Sequence, residues 1–191
     1  MTPDDIAAEA AAIWHAERRQ HLAENLLKDR PDAYATPGEL DSRLKAWARM
    51  LAGGIGQNLI LTGPVGTGKT WEIWHAAEEA VRSGYEGRVV ITSAAALRRS
   101  VAPATADPTV FTRCCEAGLL AIDDLGAFRL SEWDLDNFAE LAEARWSAQL
   151  PTIITSNKSN LAELLGPRIS SRLQHNALRV PLDGPDRRRR P

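Results

Sequence analysis

Cysteine is almost missing from this 191-residue chain, and the two that occur, Cys114 and Cys115, are adjacent. Neighbouring thiols can neither supply the spaced ligands of a zinc site nor staple distant segments. The pair is therefore expected to be reduced, buried and apolar in character. Long apolar runs are missing too: no stretch of about 18 apolar residues that could span a membrane occurs. The opening MTPDDIAAEAAAIW is acidic, with no basic segment ahead of an apolar one. These absences predict a cytoplasmic protein with no membrane association. An excess of one charge is also lacking. The 23 Lys and Arg face 25 Asp and Glu, a formal net charge of −2, which excludes a histone-like polycation. His15, His21, His75 and His175 show no metal-ligand spacing, and no internal repeat is present.

The 44% apolar content suffices for one core with a helical appendage. Charge is spread unevenly: residues 56–166 hold 9 basic and 14 acidic side chains, whereas residues 167–191 hold 7 and 2. A basic end of this kind points to a polyanion or an acidic protein surface, and the acidic middle argues against a protein that coats DNA.

Residues 3–29 are rich in Ala, Glu, Gln, Leu and Arg, with Ile6, Ile13, Trp14, Leu22 and Leu26 at three- and four-residue steps, which predicts an amphipathic helix, broken at most once. Pro31 and Pro37 place a linker over residues 30–38, and a second helix is expected over 39–52, ending at Gly53 and Gly54. Beyond it, short apolar runs at 58–62, 88–92, 119–122, 152–155 and 178–182 read as strands. Helical stretches at 69–83, 108–116, 131–149 and 160–175 lie between them. The first four strands lack strict polar alternation, as strands buried on both faces do, so the expected fold is α/β: a parallel five-stranded sheet flanked by helices.

Residues 63–70 read Gly63-Pro64-Val65-Gly66-Thr67-Gly68-Lys69-Thr70, a full G-x-x-x-x-G-K-[ST] phosphate loop between a strand and a helix. Its glycines let successive N–H groups point inward, and a phosphate then sits at the positive end of the following helix. Lys69 is expected to reach the β- and γ-phosphates of ATP and Thr70 to ligate Mg2+. The strand at 119–122 ends in Asp123 and Asp124, where the carboxyl edge of a parallel sheet opens to ligand. Burying two adjacent carboxylates without a cation is costly, so Asp123 is assigned to Mg2+ and Asp124 to orienting or deprotonating a water, a role that suggests hydrolysis. Asn157 ends the next buried strand, placed either to hydrogen-bond the γ-phosphate or the water, or to cap a turn.

The combination GPVGTGKT at 63–70, LLAIDDLG at 119–126, PTIITSN at 151–157 and ISSRL at 169–173 resembles the AAA+ ATPases of the DnaC/DnaI helicase-loader group and their relatives, the IstB-type transposition helpers. The resemblance covers about residues 54–182. It implies an ATP-dependent loader that binds a replicative DNA helicase through its N-terminal helices, self-associates with ATP and possesses little or no helical lid; single-stranded DNA is a further partner it allows. It also implies that Asn157 is the sensor and Arg172 the arginine finger serving a neighbouring subunit, with Arg168 as the fallback. Departures exist: Trp71, Ile73 and Trp74 follow the loop where relatives carry His-Leu and small residues. The Trp71 and Trp74 pair reads as packing against the N-terminal helices. Residues 184–188 resemble the terminal G-x-D-x-R of some loaders, which leaves a second sensor arginine open.

The chain thus divides into a helical N-terminal extension (1–53), an ATPase core (54–183) and a basic tail without fixed structure (184–191), read as a solvated charge run or as a phosphate contact to single-stranded DNA. The competing functions are a transposition helper that binds DNA and a transposase, a small-molecule P-loop kinase, and a module that holds ATP without hydrolysing it. Against the kinase, the Asp123 strand does not follow the phosphate-loop unit directly and no Arg-rich lid is evident.

Overall fold

The computed structural model describes residues 2–102 and 104–187. Helix α1 (Pro3–Asp29) opens with a capping box, in which Thr2 and Asp5 satisfy each other's backbone N–H groups. It runs unbroken for 27 residues. After a single 3₁₀ turn at Asp32–Tyr34, α2 (Ser42–Ala52) begins at the Asp41 cap. The core then alternates β1 (Asn58–Thr62), α3 (Lys69–Arg82), β2 (Val89–Ser93), α4 (Ala94–Val101), α5 (Pro108–Glu116), β3 (Leu119–Asp123), α6 (Glu132–Ser147), β4 (Thr152–Ser156), α7 (Leu161–Gln174) and β5 (Ala177–Pro181). Every strand pairing is parallel, in the order β2-β3-β4-β1-β5.

Alternate side chains of each strand enter two apolar layers. Leu59, Leu61, Leu119, Ala121, Ile153 and Val180 pack on α2 and α3, through Leu44, Trp47, Ile73 and Ala77. Ile60, Leu120, Ile122 and Ile154 pack on α4 to α7, through Leu97, Phe138, Leu141, Leu165 and Ile169. Coverage of both faces explains why these strands read as continuous apolar runs. Because α2 shares the first layer, Trp47 is 1% exposed and donates its Nε1–H to Gln57 O at 2.8 Å. Trp71 and Trp74 are buried as packing residues: Trp71 donates to Thr36 O (2.9 Å), and its ring leaves no room for a side chain at Gly38.

Four findings amend the sequence reading. Helix α4 was not foreseen. It is eight residues long and buries only Ala94, Leu97 and Ser100, too little for an apolar period to show. Helix α7 is kinked at Gly166 (φ 77°, ψ 164°), where Pro167 restarts the helix. Helix α1 is not an amphipathic element laid on the core. Only Leu26 is buried, while Ile6, Ile13 and Trp14 are each more than half exposed. Ion pairs from Arg19 to Glu86 (2.8 Å) and from Arg30 to Glu78 (2.9 Å) tie its second half to α3 and the loop after it. Cys114 is buried as expected but Cys115 only half so; burial raises both thiols, Cys115 to about 11.

Arg145, in the last turn of α6, is 1% exposed, and among the described residues it forms no ion pair with a carboxylate. Its guanidinium instead donates to Cys114 O (2.9 Å), Ala117 O (2.7 Å), Pro151 O (2.6 Å) and Thr152 Oγ1 (2.8 Å). The carbonyls at the end of α5 carry the negative pole of that helix, which favours a cation there. Burial lowers the Arg145 pKa to about 10, with Tyr85 and the two thiols working in the opposite direction, so the clamp stays charged at neutral pH.

Candidate nucleotide-binding site

Strand order builds the site. The phosphate loop follows β1 and the two aspartates end β3, and β4 lies between those strands, so the ends of all three meet at the carboxyl edge of the sheet. Gly66 (φ 84°) and Gly68 (φ 98°) take backbone angles that side-chain-bearing residues seldom adopt, and Gly68 caps α3, leaving the first N–H groups of that helix directed at the loop. Lys69 is buried, and its ammonium donates to Gly63 O and Pro64 O, both at 2.7 Å, arching over the loop. Thr67 donates to Pro64 O at 3.0 Å and closes the turn, while Val65 at the loop's crest is 60% exposed.

Thr70 donates its hydroxyl to Asp123 Oδ2 at 2.8 Å. The opposite oxygen, Oδ1, accepts the hydroxyl of Thr155 at 2.5 Å. An alcohol and a carboxylate in contact, both oxygen donors, fit Mg2+, which takes one or two protein ligands beside nucleotide phosphates. Among the described residues no cluster of three or more His, Cys, Asp or Glu side chains forms a metal cage. A site of this kind needs none, because the phosphates supply the remaining charge.

The expectation of two buried carboxylates is corrected for Asp124. Asp123 is partly buried, whereas Asp124, immediately after β3, is exposed and left-handed at φ 59°. Its N–H donates to Thr155 Oγ1 (2.8 Å) and the next N–H, of Leu125, to Thr155 O (2.8 Å). Asn157, directly after β4, is exposed and lies close to Gly126 in the turn after β3, the two segments being joined where Ser156 Oγ donates to Leu125 O at 2.6 Å. Asp124 and Asn157 thus follow the carboxyl ends of β3 and β4, at the edge of the sheet where the phosphate loop follows β1.

Arg172 is not brought there. It lies in the last turn of α7, next to Leu173, whose carbonyl accepts from Asn58 Nδ2 (3.1 Å) at the start of β1. One strand of five residues, about 16 Å at 3.3 Å per residue, separates that edge from the chain's own phosphate loop. The Arg172 guanidinium pairs with Glu143 and lies over the Trp146 ring, 5.5 Å from its centroid, both on α6. Arg168 is 78% exposed and 3.9 Å from the same Glu143.

Sequence reasoning missed Thr155, Glu72, Asp186 and, as a loop contact, Arg187. Of the tail read as lacking fixed structure, Asp186 and Arg187 lie against the phosphate loop; Arg188, Arg189, Arg190 and Pro191 lie outside the described residues. The N–H of Arg187 donates to Gly66 O at 2.9 Å, and its guanidinium comes within 2.8 Å of where a Cβ on Gly68 would stand. The Asp186 carboxylate packs against Gly66 so closely that any side chain there would collide with it. Glu72, in the first turn of α3, is 2% exposed and 4.0 Å from Arg187. Burial raises its carboxyl pKa, against the opposing Asp41 N–H and Arg187 charge. Only the terminal G-x-D-x-R spacing hinted at these contacts.

Residues 40–190 match the family described as IstB-like ATP binding protein. An insertion-sequence IS21-like ATP-binding protein of Bacteroides fragilis is 29% identical over 160 residues, 78% of this chain and 60% of that protein. The replicative helicase loader DnaI of Bacillus subtilis (strain 168) is 26% identical over 152 residues, 71% of this chain and 49% of that protein. The chain therefore spans about half to three-fifths of the length of these relatives. A crystal structure of DnaI superposes with a TM-score of 0.66 at 22% identity, covering 83% of this chain and 94% of that one. The fold is that of an AAA+ P-loop NTPase. No helix among the described residues is long and apolar enough to cross a membrane. With a phosphate loop, a facing Asp123 and Thr70 pair and a match over most of its length, the chain belongs to the IstB-like ATP-binding protein family.

Proposed function

We propose that this protein hydrolyses ATP and uses it as an assembly switch in loading a replicative DNA helicase. The observation that carries the hydrolytic part is the contact of Thr70, beside the loop-bound Lys69, with Asp123 at the end of β3, followed by an exposed Asp124. Thr70 and Asp123 would hold Mg2+, which when bound neutralises charge on the β- and γ-phosphate oxygens. Backbone N–H groups of residues 66–70 and the Lys69 ammonium bind and orient the triphosphate. Asp124 accepts the proton of the attacking water, and Asn157 orients that water or the γ-phosphate. Asp124→Asn keeps the loop and Thr70–Asp123 pair, so ATP affinity should stay within about twofold while turnover falls about 10²- to 10⁴-fold, the range of general-base contributions. Nucleotide titration and phosphate release measure the two separately, and undiminished release would remove Asp124 from the role.

Arg172 completes a neighbouring subunit's site in this reading, consistent with its distance from its own. Arg172→Ala should bind ATP as well as the parent protein yet lose hydrolysis by about 10³-fold or more. Mixed with Lys69→Ala protein in the presence of helicase or single-stranded DNA, it should regain part of the activity, since one interface then pairs an intact loop with an intact arginine. If Arg172→Ala hydrolyses normally, Arg168, the more exposed of the two, takes its place as the residue to replace.

The loader role is supported by the similarity to DnaI and by α1, whose exposed Ile6, Ile13 and Trp14 offer an apolar stripe for a partner. The second reading, a transposition helper that binds DNA and a transposase, is favoured by the IS21-like relative. The acidic balance of residues 56–166 weighs against DNA coating. Binding of the purified chain to a replicative helicase, lost on Trp14→Asp, supports loading; binding to a transposase and to duplex DNA without helicase affinity would replace it with the helper role.

A further inference from the structure

We propose that Thr155 is a positioning residue that sets both acidic groups of the site, aiming the Asp123 carboxylate at Thr70 and fixing the backbone from which Asp124 projects. The inference rests on the nucleotide-site reading above and extends it to a residue outside the loop and the aspartate pair.

Thr155 is 0% exposed on β4, the strand between the one that feeds the phosphate loop and the one that ends in the aspartates. A buried threonine normally spends its hydroxyl on a nearby carbonyl of its own segment. Here the hydroxyl crosses to β3. It donates to Asp123 Oδ1 at 2.5 Å, and the same oxygen accepts the Asp124 N–H at 2.8 Å. A carboxylate at a strand end turns readily about its last torsion. With Thr155 on Oδ1 and Thr70 on Oδ2 at 2.8 Å, both oxygens are held, so the plane of the group is defined. The second bond acts on conformation. Asp124 occupies the left-handed region at φ 59°, which is unfavourable for a residue with a Cβ. Its N–H is held by Thr155 Oγ1 and the next, of Leu125, by Thr155 O, so one residue anchors the strained turn through side chain and main chain together. Both bonds reach the two positions assigned to cation and base, and serine could make them as well, whereas valine, of nearly the same shape, could make neither.

The test is Thr155→Val in the full chain, with Thr155→Ser as the conservative control and Thr155→Ala as a second variant should valine disturb folding. In nucleotide-free protein, the Asp124 amide should exchange with deuterium about 10-fold faster or more in the valine variant, the change expected on losing one hydrogen bond. ATP affinity measured in EDTA should stay within about twofold of the parent. The Mg2+ concentration giving half of the affinity gain should rise about 10- to 100-fold, the equivalent of one hydrogen bond to a charged group, and Thr155→Ser should restore both readouts. Parent-like amide exchange and Mg2+ dependence in Thr155→Val would overturn the proposal. If Lys69→Ala binds ATP like the parent, the nucleotide-site reading itself fails. If Lys69→Ala loses ATP while Thr155→Val is unchanged, only the role of Thr155 fails.

Discussion

Lys69→Ala should weaken ATP binding by at least about 10²-fold. The ammonium sits on Gly63 O and Pro64 O at 2.7 Å, the inner wall of the loop, and no other lysine occurs in the loop to substitute for it. Two or more charge-assisted contacts to the β- and γ-phosphates contribute about 1.5–3 kcal/mol each, and every 1.4 kcal/mol is a tenfold change in affinity. The fold should survive, because the lysine stands at the first position of α3 and neither apolar layer contains it. Titration with a fluorescent ATP analogue, beside a thermal melt of the nucleotide-free protein, checks both statements. A variant that melts like the parent and binds ATP like the parent would remove the site assignment altogether. One that fails to bind but also melts far lower would show instead that the two carbonyl contacts shape the loop before any ligand arrives.

The largest effect on stability should come from Arg145→Leu. Leucine matches the apolar length of the arginine stem but leaves Cys114 O, Ala117 O and Pro151 O facing a group that cannot donate. A buried acceptor stripped of its donor costs about 1–3 kcal/mol. Part of this is offset at Pro151, whose oxygen also accepts the N–H of Leu120 at 3.3 Å. A total of about 3–5 kcal/mol is the size seen when a buried charged network is broken. For a chain of this length that corresponds to roughly 10–15 °C in melting temperature. Arg145→Lys should recover only part of the loss, since a single ammonium cannot span carbonyls that come from α5 and from the start of β4. Calorimetry or a circular-dichroism melt measures it, and a leucine variant within about 1 kcal/mol of the parent would show that water replaces the guanidinium.

Much of this molecule is written in contiguous residues. The phosphate loop could be read directly because its shape follows from Gly66 and Gly68 at positive φ between an apolar strand and a helix, all within thirteen residues of chain from Asn58 to Thr70. Strands and helices that fill whole apolar layers announced themselves in the same way, and β1 and α5 fall on the residues expected of them. Short α4 escaped because eight residues with three buried side chains carry no period, and its stability comes from the layer it caps. The kink in α7 could have been suspected from Gly166 and Pro167.

What depends on strand order could not be read at all. That Thr155 touches Asp123 follows only from β4 standing between β1 and β3, since 32 residues of chain separate the two. The Arg145 clamp, the placement of Arg187 on Gly66 and the distance of Arg172 from its own loop are of the same kind. So is the exposure of Ile13 and Trp14, which by spacing alone suited a buried face. Local backbone preference and apolar periodicity act between residues a few positions apart and are legible in one dimension. A hydrogen bond, an ion pair or a buried charge is decided by which distant segments the packed sheet brings within 3 Å, and that is a property of the tertiary structure.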